Sequence, residues 1–235
     1  MKIQGSVALV TGANRGLGAA FVEGLLAAGA SKVYAAARTP ATVTVPGVIP
    51  VLLDVTRPDQ IERVASELTD VNLLVNNAGI GEMGPILAPS SVEALRRQLE
   101  TNAFGPLLLT QAFASTLASN QNSAVVNVLS ALTWFTLPSA SGAYSASKAA
   151  AWALSNALRQ ELSSQGTSLV AVHAGYIDTD LVRGIAAPKI APAEVVRQTL
   201  AALEAGAPEV FADDTARHVH AGLTTKPPMY VGMGA

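Results

Sequence analysis

Two short stretches of the 235-residue chain hold residue types whose spacing could do chemistry. The first is Val7-Ala-Leu-Val-Thr-Gly-Ala-Asn-Arg-Gly-Leu-Gly18, which sets Gly12, Gly16 and Gly18 between an apolar run and an amphipathic one. Glycines at a strand-to-helix turn let a pyrophosphate approach backbone N–H groups at the helix N-terminus, where a Cβ would block it or force an unfavourable φ. The spacing is G-x-x-x-G-x-G, not the general G-x-G-x-x-G fingerprint, so its weight comes from its position on the first turn of a βαβ start. The second stretch is Tyr144-Ser-Ala-Ser-Lys148, with phenol and ammonium one helical turn apart on the same face. A free phenol titrates near 10 and shuttles protons poorly at neutral pH; a neighbouring positive charge favours its ionised form. Taken alone, such a pair is a common surface feature.

These stretches need elements to hold them. Short apolar, β-branched runs recur at Val7–Val10, Lys32–Ala36, Val48–Leu53, Leu73–Val75, Ala124–Val128, Leu169–Val172 and Glu209–Ala212. Such continuous runs suit strands buried on both faces. Helical spacing lies between them at Leu17–Ala28, Pro58–Glu67, Val92–Thr101, Leu107–Ala118, Tyr144–Ser164 and Ala193–Leu203. The alternation predicts an α/β fold, a doubly wound parallel sheet of about seven strands with helices on both faces. Thr39 to Pro50 reads as a loop, and residues 224–235, with Pro227-Pro228 and two late glycines, as a loosely ordered tail.

Composition narrows the function. Fifteen Lys+Arg against seventeen Asp+Glu give a net charge of -2, which argues against a nucleic-acid binder. Half the residues are hydrophobic and 14% charged, enough for a large core in a single domain spanning 1–235. No cysteine is present, so disulfides and thiolate chemistry are excluded. No signal-like run or span of about 18 apolar residues occurs, and a cytoplasmic protein without membrane contact is expected. The end of the second run, Val33-Tyr-Ala-Ala-Ala-Arg38, bears on the cofactor. A carboxylate there would take the ribose 2′-OH of NAD, whereas arginine takes a 2′-phosphate. Arg38, with Arg15 reaching in from the glycine turn, predicts NADP(H).

Taken together, Thr11-Gly12-x-x-x-Gly16-x-Gly18, Asn76-Asn-Ala-Gly79, Asn102, Ser130 and Tyr144-x-x-x-Lys148 occur in the order seen in short-chain dehydrogenases/reductases, a family the chain resembles over roughly residues 5 to 180. The resemblance implies a single-domain Rossmann fold and a carbonyl reductase or alcohol dehydrogenase activity. Tyr144 would be the general acid, Ser130 a hydrogen-bond partner of the substrate oxygen, and Lys148 a group that lowers the tyrosine pKa and holds the nicotinamide ribose. Asn102 would position a water linking the lysine to solvent. Beside Gly12, Gly16, Gly18, Arg15 and Arg38, the cofactor would lie against Asn14, Leu17, Asp54, Val55, Asn76, Ala78, Gly79, Tyr144, Lys148, Gly175, Ile177 and Thr179. Asp54 would take the adenine edge, and Ile177 and Thr179 the carboxamide.

The chain departs from the family pattern in three places. Position 174 is Ala where the family usually has Pro, a change the fold is expected to tolerate. Ser130 stands fourteen positions before Tyr144, one more than the commonest spacing, which implies a small insertion in Thr136–Gly142. The last strand leads into Asp213-Asp-Thr-Ala-Arg-His-Val-His220 rather than the segment that builds the family's tetramer. A homodimer through the faces near Leu107–Leu117 and Ala149–Leu162 is therefore expected in its place.

The small-molecule substrate, a carbonyl compound or its alcohol, would meet Ser130, Leu132, Trp134, Phe135, Tyr144, Tyr176, Leu181, Val182 and Ile185, the last residues forming a lid within about 176–192. All but Ser130 are apolar or aromatic and no arginine pair converges there, which points to a hydrophobic ketone or aldehyde. No metal site is expected: His173 ends a buried strand, and His218 and His220 are two apart. Asp213-Asp214 reads as a helix N-cap. Two rival readings fit the same residues, a non-catalytic dinucleotide-binding sensor or scaffold and a non-redox lyase or isomerase using the same tyrosine.

Overall fold

The computed structural model describes residues 1–232. Seven strands, β1 (Val7–Thr11), β2 (Lys32–Ala37), β3 (Ile49–Leu52), β4 (Leu73–Asn76), β5 (Ala124–Val128), β6 (Ser168–His173) and β7 (Glu209–Phe211), form one parallel sheet in the order β3-β2-β1-β4-β5-β6-β7. Seven helices, α1 (Gly16–Ala27), α2 (Pro58–Glu67), α3 (Ser91–Leu99), α4 (Gly105–Ser119), α5 (Gly142–Ser163), α6 (Pro192–Ala205) and α7 (Asp214–Gly222), connect or follow the strands. This is the doubly wound Rossmann arrangement that the alternating runs predict.

Strand alternation divides the core. Along β1, Ala8 and Val10 join a layer with Phe21, Val22 and Leu25 of α1 and Val195, Val196 and Leu203 of α6. Leu9, between them, faces the opposite layer with Ile61 and Val64 of α2 and Leu109, Phe113 and Leu117 of α4. A two-residue side-chain period thus gives each face of the sheet its own hydrophobic layer. β3 differs from the expectation of burial on both faces, since Ile49 and Leu52 are 44% and 47% exposed. It is an edge strand with no neighbour beyond it.

Strand order reverses between β1 and β4, and open α/β sheets bind ligands in the crevice beyond the strand ends at such a point. The glycine turn leaves β1 there and the Asn76–Gly79 segment leaves β4. Two short turns matter to the site: a π-helical turn at Glu100–Phe104 between α3 and α4, and a 3-10 turn at Ala131–Thr133 after β5.

The C-terminal region is more ordered than the composition suggests. Asp213 caps α7, its carboxylate accepting from Ala216 N at 2.8 Å, as the Asp-Asp pair predicts. A last short helix, α8 (Met229–Gly232), returns to α7, where a Cβ on Gly222 would meet Met229 Cβ at 2.8 Å. The tail predicted as loose is thus structured through 232, and its last residues, 233–235, lie outside the described residues.

Candidate active site

A cavity of about 1030 Å³ opens at the C-terminal ends of the strands. At one end lie Gly12, Asn14, Arg15, Gly16, Leu17, Gly18, Arg38, Asp54, Val55, Ala78 and Gly79; at the other, Ser130, Leu132, Phe135, Tyr144, Lys148 and the 174–185 segment. The fold brings together in one space groups that are more than a hundred residues apart in sequence.

The glycine turn is shaped by the protein's own backbone as much as by room for a ligand. Gly12 has φ +64 and a Cβ there would lie 3.0 Å from Ala78 Cα; a Cβ on Gly18 would lie 2.1 Å from the Gly12 carbonyl. Asn77 secures this junction, donating from Nδ2 to the carbonyls of Thr11 at 2.9 Å and Gly12 at 3.3 Å. In turn Thr11 Oγ1 accepts from the N–H groups of Asn77 and Ala78, both at 3.0 Å. No side chain caps α1, so the N–H groups of its first turn stand open to an anion at the cavity edge.

The two arginines differ. Arg38 is exposed on the cavity rim and has no hydrogen-bond or ion-pair partner among the described residues. Arg15 instead donates to Asp180 at 3.1 Å, and Asp180 also pairs with Arg183. An exposed pair of this kind is worth about 0–1 kcal/mol, so an incoming dianion can displace it. Asp54 lines the cavity while accepting from Thr56 N and Oγ1 at 3.0 and 2.8 Å.

At the other end, Ser130 Oγ accepts from Leu132 N at 3.1 Å, which leaves the hydroxyl proton free to point elsewhere. Burial raises the Tyr144 pKa, and the Ser130 hydroxyl partly offsets the rise. Tyr144 is thereby held as a phenol, the form that can donate a proton. Burial lowers Lys148 to about 8. Its ammonium donates to the Val128 carbonyl at 2.9 Å and lies 5.9 Å from the centre of the Tyr144 ring. In this structure burial is the largest influence on the phenol, ahead of its hydrogen bond with Ser130. Two ammonium protons remain for other acceptors.

Two residues expected to line the cavity, Asn76 and Trp134, stand elsewhere. Asn76 does not line the cavity; its amide donates to Asn127 Oδ1 at 2.8 Å and to Thr110 Oγ1 at 3.3 Å, stitching β4 to β5 and α4. Its neighbour Asn77 is the one that reaches the cavity. Asn102 is buried, accepting from Ile80 N and donating to Ile80 O and Ser147 Oγ, each at 2.9 Å. Its side chain braces the wall after β4 against α5, near Lys148: a Cβ on Gly79 would lie 3.2 Å from Asn102 Oδ1 and 3.7 Å from Lys148 Nζ. Trp134 turns away from the cavity and stacks on His173, ring centroids 4.2 Å apart, with Trp152 edge-on at 6.2 Å.

Gly175, Tyr176, Ile177, Thr179, Leu181, Val182 and Ile185 all line the cavity. Ile177 bridges to Ile190, so the segment between them is a loop pinned at its base, with Asp178 N donating to Ile190 O and Ile190 N to Tyr176 O, both at 2.9 Å. Gly175 is needed by packing, since its Cβ would lie 2.8 Å from Thr215 Cβ. Ala174, in place of the family's Pro, is buried and its carbonyl accepts from Ala131 N at 2.8 Å, a bond that fixes the backbone without a proline ring. Met83 and Leu137 also line the cavity and were not expected, because both sit in loops without a readable period. No cluster of His, Asp or Glu with the makings of a metal site occurs among the described residues.

Comparison with known proteins agrees with this geometry. The sequence profile of the short chain dehydrogenases matches residues 6–189. The 1-deoxy-11-beta-hydroxypentalenate dehydrogenase of Streptomyces exfoliatus is 32% identical over 202 residues, covering 80% of this chain and 74% of its own length. The 3-oxoacyl-[acyl-carrier-protein] reductase FabG of Escherichia coli is 30% identical over 79% of both chains. A crystal structure of a short chain dehydrogenase from Burkholderia cenocepacia in complex with NADP is 42% identical, covers 100% of both chains and superposes with a TM-score of 0.94.

Proposed function

Because the chain belongs to the short chain dehydrogenase family, a family of oxidoreductases, we propose that it uses NADP(H) to interconvert a hydrophobic ketone or aldehyde and its alcohol. The observation that carries this reading is the single cavity shared by Tyr144, Ser130 and Lys148 at one end and the glycine turn with Arg38 at the other. The residues suit the dinucleotide: uncapped N–H groups of α1 for a pyrophosphate, an unpaired guanidinium for a 2′-phosphate, and a lysine with two spare donors for ribose hydroxyls. NADP in the Burkholderia relative supports the same choice.

When bound, NADPH supplies the hydride. Negative charge then develops on the carbonyl oxygen, and preorganised donors stabilise it. Ser130, its lone pair engaged by Leu132 N, directs its hydroxyl proton to that oxygen. Tyr144, kept protonated by burial, delivers a proton to it, and Lys148 steadies the phenolate that remains. Leu132, Phe135, Leu181 and Ile185 give the substrate end an apolar lining, which favours a hydrophobic carbonyl compound. Residues from about 176 to 192 serve as the lid. No described helix is long and apolar enough to cross a membrane, and a cytoplasmic homodimer joined along α4 and α5 completes the proposal.

The test is oxidation of NADPH, with NADH in parallel, against hydrophobic ketones and aldehydes at neutral pH. NADPH should be consumed well ahead of NADH, and Tyr144→Phe should lower kcat about 10³-fold with NADPH affinity retained. Tight NADPH binding without turnover of any carbonyl compound would favour a sensor, and product formation without an absorbance change would favour a lyase or isomerase.

A further inference from the structure

The turn that carries Ser130 is braced from behind by a residue that the proposed chemistry does not use. His173 ends β6 and is 0% exposed. Its Nδ1 lies 3.3 Å from the Ser130 carbonyl oxygen. A carbonyl only accepts, so Nδ1 carries the proton and Nε2 is a bare acceptor. Nε2 is buried and without a partner among the described residues. Burial keeps the ring neutral, with its pKa lowered to about 4.

The same ring reaches the other end of the turn. Trp134, directly after the 3-10 turn at Ala131–Thr133, stacks on the imidazole at 4.2 Å with 25° between the planes. Phe211 of β7 stacks against the imidazole at 5.5 Å and 19°. One imidazole therefore touches the first carbonyl of the turn and the side chain that closes it. Backbone bonds from Leu129 N to Val172 O and from Ala131 N to Ala174 O, both 2.8 Å, hold the residues on either side of Ser130. The Ser130 carbonyl itself has only Thr133 N, at 3.2 Å, besides His173. It is the pivot where extended backbone, φ -160 and ψ 158 at Ser130, changes into the turn.

We propose that His173 is a positioning residue for the reaction: its Nδ1–H fixes the Ser130 carbonyl, and through it the direction of the Ser130 hydroxyl toward the substrate oxygen. The proposal rests on the reading of Ser130 as the donor to that oxygen. A purely structural role explains the ring poorly. An apolar ring of the same size would stack equally well and leave no buried acceptor unpaired, and an unpaired buried acceptor is costly. What only the imidazole adds is the bond to the Ser130 carbonyl.

The deciding pair is His173→Asn and His173→Gln. Asparagine places an amide N–H close to the Nδ1 position; glutamine moves it to where Nε2 stands, out of reach of the carbonyl. Both lose the ring equally. H173N should stay within about threefold of the parent in kcat, and H173Q should fall about tenfold or more, with KM for NADPH unchanged in both, because misplacing a reacting group by about 1 Å costs up to 10²-fold. His173→Phe adds an independent readout: its melting temperature should equal or exceed the parent's while kcat falls as in H173Q. Equal kcat in H173N and H173Q, or full kcat in H173F, would overturn the proposal. A parent enzyme that turns over no carbonyl compound would bring down the oxidoreductase reading and this inference with it, an outcome seen before any variant is made.

Discussion

At the β1 end of the cavity a Cβ on Gly18 would come within 2.1 Å of a backbone carbonyl, whereas at the β5 end Leu181, on the cavity lip, is 61% exposed and Met83 55%. The cofactor end is closed by main chain packed on main chain, with Asn77 and Thr11 stitching the two turns. The substrate end is closed by side chains on a pinned loop and a short turn, braced by one buried imidazole. Backbone interlock admits almost no change of shape, because no rotamer can relieve a clash between backbone atoms. Side-chain walls can be altered one residue at a time. The two ends of one cavity therefore differ in how much change of shape they admit.

The largest expected effect tests the rigid end. Gly18→Ala should destabilise the protein by about 3 kcal/mol or more and abolish NADPH binding, since the turn must open to seat the methyl group. A variant that melts like the parent and binds NADPH would remove the basis of the comparison. The substrate end has its own weak point, exposed by acid. His173 titrates at about 4 in the fold against 6.5 for a free imidazole. Between those values the unfolded chain holds more protons, so stability contributed by the neutral ring is whole above pH 6.5 and falls as pH drops toward 4. At about 1.4 kcal/mol per pH unit the loss is about 3 kcal/mol. Urea unfolding at pH 7 and pH 4 should show it, and in His173→Phe the pH dependence should shrink by that amount.

A smaller change separates the two arginines. Arg38→Asp should weaken NADPH about 10- to 100-fold and leave NADH within a few fold, by loss of a charge-assisted bond to the 2′-phosphate. Arg15→Ala should cost less, because the parent must first break the Arg15–Asp180 pair to use that guanidinium. Titration of each variant with both cofactors decides it, and equal losses for NADPH and NADH would sink the phosphate-clamp reading.

The rigid end was also the legible one. A strand run followed by three glycines, and a second run ending in Arg38, fix their own geometry locally, so sequence spacing carries them into space. The same holds for the seven runs, which match the strands to within about a residue or two at each end. Asn76 faces away from the cavity because successive residues of a strand point to opposite faces, and motif identity alone does not say which of Asn76 and Asn77 turns inward. Trp134 was misplaced for a different reason. An aromatic two residues beyond Leu132 on a turn could face the cavity or the sheet, and the choice depends on His173 and Phe211, which lie about 39 and 77 positions further along. The rise that burial gives the Tyr144 pKa is a property of the whole fold, which the spacing of Tyr144 and Lys148 does not show.

That turn supplies the finest test of where the adjustable wall begins. Leu132 lines the cavity and Trp134 does not, although they are two residues apart. Leu132→Ala should raise KM for a hydrophobic ketone about 3- to 10-fold with kcat little changed, because apolar contact made equally in ground and transition states affects binding alone. Trp134→Phe keeps an aromatic face for His173 and should leave that KM within about twofold. If Trp134→Phe raised KM as much as Leu132→Ala, the indole would have to reach the substrate, and the aromatic stack behind Ser130 would have to open during turnover. The substrate end would then be mobile as well as adjustable, and its contrast with the interlocked glycine turn would be one of motion rather than of packing.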